Sequence, residues 1–284
     1  MENIRVVKSS VVKNAVKELF IKANHVLPDS VKKALDKASK AESSELAKSV
    51  LERLSENIDI AGRCDVPVCQ DTGMAVLFAE IGKDVHISGD SFVKAVNEGV
   101  SEAYLEGKLR CSVVADPFFD RKNTNDNTPA IIYTDFVDGD RIKLTALPKG
   151  FGSENMSGVK MFTPSATRED IIGFVVDTVK RAGSNPCPPI VVGIGMGGTF
   201  DYSCVLSKKA LMRDIDDVNS KPEYAELERE MLERINELDI GPQGFGGRTT
   251  ALAVKIEGYP THIAGLPVAV NICCHVMRHM SLEI

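Results

Sequence analysis

Ile190-Val191-Val192-Gly193-Ile194 decides the fold class. The run is short, apolar and bounded by Pro188-Pro189 and a glycine-rich segment, which suits a buried strand. Before it, Thr167 with Asp170 three residues on is a variant of the capping box that opens a helix. Ile171, Phe174, Val175 and Val179 continue that helix, which stops before Gly183, Asn185 and Pro186. After the run, residues 200–212 and 222–238 read as helices, the second polar and solvated on one face. Helix and strand in alternation give an α/β fold: a mixed sheet with flanking helices.

The rest of the chain extends this pattern. Residues 249–256 and 267–272 read as late strands, and 75–81 as an early one. Residues 91–107 form a helix with Phe92, Val96, Val100 and Ala103 on one side. Residues 130–136 and 141–147 flank Val137-Asp138-Gly139-Asp140, an Asp-Gly hairpin signal. Between them and the preceding helix, residues 111–129 are a long loop rich in Asn, Asp and Thr, and such loops are often functional. Val11, Val12, Val16, Leu19 and Phe20 fall near helical spacing, and 30–58 holds few breakers. The expected organisation is therefore a helical N-terminal region, 1–60, followed by an α/β region, 61–284, together one domain.

Composition narrows the function. The 284 residues carry a formal net charge of −6, which argues against nucleic acid as a partner but not against an acidic small substrate held by a few local arginines. Hydrophobic residues make up 43%, so a core can form without staples, yet no stretch approaches the ~20 apolar residues of a membrane helix. Met1-Glu2-Asn3-Ile4-Arg5 is followed by no apolar signal segment, and a cytoplasmic location is expected. Seven scattered cysteines, Cys64, Cys69, Cys111, Cys187, Cys204, Cys273 and Cys274, suggest ligation, catalysis or burial before disulfides in such a compartment.

Four stretches point to chemistry. In Pro67-Val68-Cys69-Gln70-Asp71-Thr72-Gly73 a cysteine sits beside an amide, a carboxylate and a turn glycine; the plain alternative is a thiol packed at a strand end. Ser184-Asn185-Pro186-Cys187-Pro188-Pro189 presents one thiol on a rigid backbone, or merely joins helix to strand. Cys273 and Cys274, adjacent in a strand, point to opposite faces, so one of them at most serves a given site. Lys149-Gly150-Phe151-Gly152 and the segment Gly193-Ile194-Gly195-Met196-Gly197-Gly198-Thr199 are glycine-rich. The latter reads as a turn between strand and helix that could hold an anion, although its spacing is not the dinucleotide fingerprint. The paired spacing of a zinc site and the close cysteine run of ferredoxins are both absent, so a cluster would draw its ligands from distant segments.

In combination, Cys69-Gln70-Asp71-Thr72-Gly73, Arg110-Cys111-Ser112-Val113-Val114, Asp116-Pro117, residues 121–130, 149–155 and 193–200, and Asn271-Ile272-Cys273-Cys274-His275 resemble the class I (iron–sulfur) fumarate hydratases. The match runs in order over nearly the whole chain and is closest to the alpha subunit of two-subunit forms, with the L(+)-tartrate dehydratase alpha subunit beside it. The resemblance implies a hydro-lyase that reversibly hydrates fumarate to L-malate, with tartrate dehydration as the alternative. It implies a [4Fe–4S] cluster on Cys69, Cys187 and Cys274, the last chosen over Cys273 because the family pattern is Asn-x-x-Cys from Asn271. It implies substrate contacts from Gln70, Asp71, Arg110, Gly152 and His262, with Asp71 and His262 catalytic. Phe151 stands where many relatives have a third small glycine, which bears on the loop around Gly152. The chain as given ends at Ile284, soon after Cys274, so the remaining groups are expected from a separate beta subunit in an alpha2–beta2 assembly. A carrier of iron–sulfur clusters is the non-enzymatic alternative; zinc and nucleotide binding are further ones.

Overall fold

The structure, a computed structural model, describes residues 4–284. Met1, Glu2 and Asn3, part of the start read above for a signal segment, lie outside the described residues. In chain order the elements are β1 (Arg5–Lys8), α1 (Ser9–His25), α2 (Asp29–Ala41), α3 (Glu45–Cys64), β2 (Met74–Gly82), β3 (Val85–Ser88), α4 (Phe92–Glu106), β4 (Ile131–Val137) and β5 (Ile142–Lys149). There follow α5 (Phe151–Glu154), β6 (Gly158–Phe162), α6 (Arg168–Ala182), β7 (Ile190–Gly198), α7 (Phe200–Ala210), α8 (Pro222–Asn236), β8 (Ala251–Thr261), β9 (Leu266–Cys273) and β10 (Met280–Glu283). This is the mixed α/β fold with a helical N-terminal region that the alternation implied. No helix among the described residues is long and apolar enough to cross a membrane.

The chain forms two compact units of non-contiguous segments: Met1–Leu27, Ile60–Phe151 and Arg278–Ile284 in the first, Pro28–Asp59 and Gly152–Met277 in the second. Position 60, where composition placed the end of the helical region, falls inside α3.

In the first unit a four-stranded sheet has the order β10-β5-β2-β4, with β2–β4 parallel and the other pairs antiparallel. β2 is central because it is apolar on both faces: Ala75, Val76, Leu77, Phe78, Ala79 and Ile81 are all buried. Against it pack Val12, Val16, Leu19 and Phe20 of α1 and Val96, Val100, Ala103 and Tyr104 of α4. The closely packed Gly99 allows α1 and α4 to meet, since a Cβ there would lie 2.5 Å from the Lys13 carbonyl oxygen. Ser91 caps α4 by accepting the Lys94 N–H.

One expectation fails here. The Asp-Gly segment does not make a hairpin: β4 and β5 lie on opposite sides of β2, and Val137-Asp138-Gly139-Asp140 crosses the end of that strand. Gly82 permits the crossing, because a Cβ on it would stand 2.4 Å from the Gly139 carbonyl oxygen. The helical N-terminal region opens on a short strand, Arg5–Lys8, which pairs in parallel with Val85–Ser88.

In the second unit the sheet order is β6-β9-β7-β8, with β7–β8 parallel and the other pairs antiparallel. Ile190, Val192, Ile194, Val268, Val270 and Ile272 form its core with Ile172, Val175 and Val179 of α6 and Met231 and Ile235 of α8. Thr167 and Asp170 complete the capping box at the start of α6. The glycine-rich segment is not a turn. It continues β7 as far as Gly198, and its glycines let α7 lie directly on the strand. A Cβ at Gly195 would be 2.0 Å from the Ser203 carbonyl oxygen, and one at Gly193 would be 2.2 Å from that of Ser207. The anion-binding reading of this segment therefore falls away.

Candidate active site

The first unit brings together Cys69, Gln70, Asp71 and Arg110. The 68–73 backbone is hung from buried groups. Val68 N–H donates to the Asn24 backbone carbonyl at 3.0 Å. The Tyr104 hydroxyl reaches the Thr72 and Gly73 carbonyl oxygens at 2.8 and 2.9 Å, and Asn127 Nδ2 donates to Gly73 O at 3.1 Å. Burial pushes the Tyr104 phenol well above its usual range, so it stays a neutral donor. Gly73 has φ +76° and a Cβ there would meet the Lys149 backbone at 2.7 Å, which explains the glycine.

Asp71 is fixed by both oxygens: Oδ1 accepts Gly73 N–H and Oδ2 accepts Phe151 N–H, each at 3.0 Å. Each oxygen keeps a further lone pair for a ligand. Thr72 ties Arg110 to the same loop: Arg110 N–H donates to Thr72 Oγ1 at 2.9 Å, and that hydroxyl donates back to Arg110 O at 3.1 Å. The exposed guanidinium of Arg110 has no ion-pair partner among the described residues. Cys69 Sγ lies 3.3 Å from Gln70 Oε1, leaving the amide Nε2 of the exposed Gln70 as a donor.

The second unit brings together Gly152, Asn185, Cys187 and His275. Cys187 is exposed, with φ +54°, on a turn closed by its N–H to Ser184 O at 3.0 Å. His275 Nδ1 lies 3.0 Å from the Cys187 carbonyl, which can only accept, so that nitrogen carries the proton. Gln243 clasps the following prolines through its N–H and Nε2, both 2.7 Å from Pro188 O. Cys273 is buried in β9, opposite Val191, whereas Cys274 stands just past the strand and is partly exposed. Gly152 meets little: a Cβ on it would find only Asn185 O, at 3.7 Å. Glu154, next but one, joins Lys208 of α7 and accepts from Asn271 Nδ2 at 3.0 Å, fixing the short helix to β9.

His262 does not join this group. It lies on the exposed turn between β8 and β9, while Cys274 follows the far end of β9. The eight residues of β9 separate them by about 26 Å at ~3.3 Å per residue. His262 Nδ1 accepts the Ala264 N–H at 3.1 Å, which leaves Nε2 to carry the ring proton.

Of the other cysteines, Cys111 and Cys204 are partly buried and burial raises both thiols. Cys64 is exposed at the end of α3 rather than packed. Among the described residues, no three His, Cys, Asp or Glu side chains surround a single-ion position. Cys69 and Cys187 lie on glycine- and proline-bounded turns of their respective units, and Cys274 lies just past a strand. Sequence reasoning missed Asn24, Tyr104, Asn127 and Arg278, which support the 68–73 loop. Only the buried hydrogen bonds seen in the structure mark them.

The α/β fold thus presents thiols on loops of each unit, and in the first unit a fixed carboxylate beside a guanidinium that has no ion-pair partner among the described residues. The sequence matches the family described as "Fumarate hydratase (Fumerase)" over residues 13–283. It is 46% identical over 271 residues to the protein of Methanocaldococcus jannaschii named "Putative L(+)-tartrate dehydratase subunit alpha", covering 94% of this chain and 95% of that one. It is 31% identical over 262 residues to "L(+)-tartrate dehydratase subunit alpha" of Escherichia coli strain UTI89, covering 91% and 86%. The K12 strain's protein of the same name is 31% identical over 260 residues, covering 90% and 85%. The chain belongs to the fumarate hydratase (Fumerase) family, a family of hydro-lyases.

Proposed function

We propose that this chain is the alpha subunit of an iron–sulfur hydro-lyase that reversibly adds water to fumarate to give L-malate. One observation carries the reading. Arg110, with no ion-pair partner among the described residues, is stapled by Thr72 to the loop that holds Cys69, Gln70 and the doubly fixed Asp71. A guanidinium so placed matches a carboxylate with two parallel hydrogen bonds.

Cys69, Cys187 and Cys274 would hold a [4Fe–4S] cluster. The exposure of Cys187 and Cys274 and the burial of Cys273 support that choice. When bound, such a cluster supplies Lewis acidity toward a substrate oxygen through the iron that lacks a cysteine. The protein's own groups do the rest. Arg110 clamps one substrate carboxylate and Gln70 Nε2 donates to it. Gly152 leaves room for the substrate beside the Asn185–Cys187 turn. Asp71, oriented by two backbone donors, would take the carbon-bound proton at a carboxylate oxygen as the hydroxyl leaves the neighbouring carbon, the proton and hydroxide together making the released water, and hydration reverses these transfers. His262, the length of β9 from Cys274, would serve only where another chain brings the cysteine end of the sheet to it.

The relatives' names, "subunit alpha", favour a separate second subunit, and we place this chain in an alpha2–beta2 complex in a reducing, cytoplasmic compartment. The same names favour a second reading, dehydration of L(+)-tartrate to oxaloacetate. The complex with its second subunit, prepared without oxygen, should form L-malate from fumarate, while the isolated chain should not. Turnover of tartrate alone would select the second reading. Turnover of neither substrate would overturn the proposal, and full activity of the isolated chain would overturn the need for a partner.

A further inference from the structure

We infer that Arg278, acting with Asn24, is a positioning residue that sets the Cys69–Asp71 loop for ligand binding. The inference rests on the function proposed above, which gives that loop its ligands. Arg278 is buried, with 2% of its surface exposed, and forms no ion pair with a carboxylate among the described residues. Burying a guanidinium is costly, and where it serves packing alone an apolar side chain of similar volume does as well or better. Its donors must therefore satisfy something specific.

They go to two places. Nη1 donates to Asn24 Oδ1 at 2.9 Å, and Nη2 donates to the Asp71 carbonyl at 2.5 Å, while Nε has no partner. Asn24, itself fully buried, is locked by Nδ2 to Phe20 O at 2.9 Å, and its own carbonyl accepts Val68 N–H at 3.0 Å. The pair thus grips the backbone on either side of Cys69 and Gln70, at Val68 and at Asp71. The arginine leaves Nε without a partner to reach this geometry, and one of its two bonds goes directly to the backbone of the loop. The Asp71 side chain is close as well. A Cβ on Gly150 would lie 3.1 Å from Asp71 Oδ2 and 3.6 Å from Arg278 Nη2, so both groups line one small space. A positive charge there sits beneath a loop that carries a carboxylate and, in the proposed function, a thiolate ligand. Partners of this kind, one bond removed from the ligands, typically carry a 10–100-fold effect on activity or metal affinity.

The test uses the full chain with its second subunit and three variants: Arg278→Met, Arg278→Lys and Asn24→Ser. Amide hydrogen exchange of residues 68–73 is compared with that of β2, together with iron retention under a chelator and the separate values of kcat and KM. For Arg278→Met, exchange at 68–73 should rise about tenfold, as expected for loss of a charge-assisted bond, with β2 unchanged. Iron loss should quicken, and kcat should fall about 10–100-fold with KM moved less than about threefold. Arg278→Lys, whose ammonium is a point donor, should restore part of each, and Asn24→Ser should show the same pattern as Arg278→Met. Unchanged exchange at 68–73 would overturn the inference. So would exchange raised equally in β2, which would make Arg278 a fold residue. If Arg278→Met does not fold, Arg278→Lys decides: a wild-type melting temperature with slowed kcat supports the inference, and wild-type kcat and loop exchange refute it. If the parent complex turns over no substrate, the proposed function fails, whereas the exchange data still judge the loop.

Discussion

Gly152→Ala separates the ligand's needs from the protein's. The substitution adds one methyl group whose nearest neighbour would be Asn185 O at 3.7 Å, an ordinary contact. No backbone has to move. Gly152 lies in α5, where alanine is the better helix former by up to about 1 kcal/mol, although a helix this short gains only part of that. The melting temperature should therefore stay within about 2 °C of wild type, or rise, since ~1 kcal/mol moves a domain of this size by roughly 2–4 °C. Activity should behave differently. If Gly152 lies against the substrate, the methyl displaces it by about 1 Å, and a misplacement of that size costs about 100-fold in rate. Scanning calorimetry on the chain and kcat/KM on the complex measure the two effects separately. A variant with wild-type melting and wild-type kcat/KM would refute the placement of substrate at Gly152. One that lost activity only by unfolding would refute the reading of open space.

Gly195→Ala is the opposite case. The new Cβ would stand 2.0 Å from Ser203 O and 2.7 Å from Ser207 N, both backbone atoms, so α7 must lift from β7 and stability should fall by about 3 kcal/mol or more, read by urea unfolding. Tyr104→Phe removes the buried hydroxyl between the Thr72 and Gly73 carbonyls and should cost about 1–3 kcal/mol in the same assay. His262→Asn should keep the iron and sulfide content of wild type, because the length of β9 lies between it and Cys274. Loss of iron in that variant would show that the two ends of the sheet act on one site.

The parts of the fold that were legible in the sequence rest on local signals. Thr167 and Asp170 begin a helix wherever they occur with an apolar stripe behind them, and α6 starts where they place it. The strand at Ile190 and the helices at Phe200 and Pro222 follow likewise from local pattern and punctuation. What the sequence concealed depends on neighbours distant in the chain. An Asp-Gly turn says that the backbone reverses near Gly139, not that β2 already lies between the two strands. The glycines of 193–198 would serve a turn or a strand beneath a helix equally well, and only the position of Ser203 and Ser207 decides. The strands β1, β3 and β10, four residues each, are too short for a period to show. The candidate site divides in the same way. Cys69, Asp71 and Arg110 belong to one stapled loop pair that the resemblance picked out, but His262, close to Cys274 in sequence, is carried away by an intervening strand. Arg278 gives no sequence sign of burial, since a charged side chain near the end of a chain is ordinarily solvated.

The proposed cluster is held by one particular member of an adjacent cysteine pair, Cys274, together with two thiols far away in sequence, Cys69 and Cys187. Iron and acid-labile sulfide, measured per chain on anaerobically purified Cys273→Ser and Cys274→Ser, test it most directly. The buried Cys273 should be replaceable with iron retained, whereas the partly exposed Cys274 should not, its loss removing most of the iron and the visible absorption that goes with it. Iron lost from the Cys273 variant and kept in the Cys274 variant, or kept in both, would contradict the account.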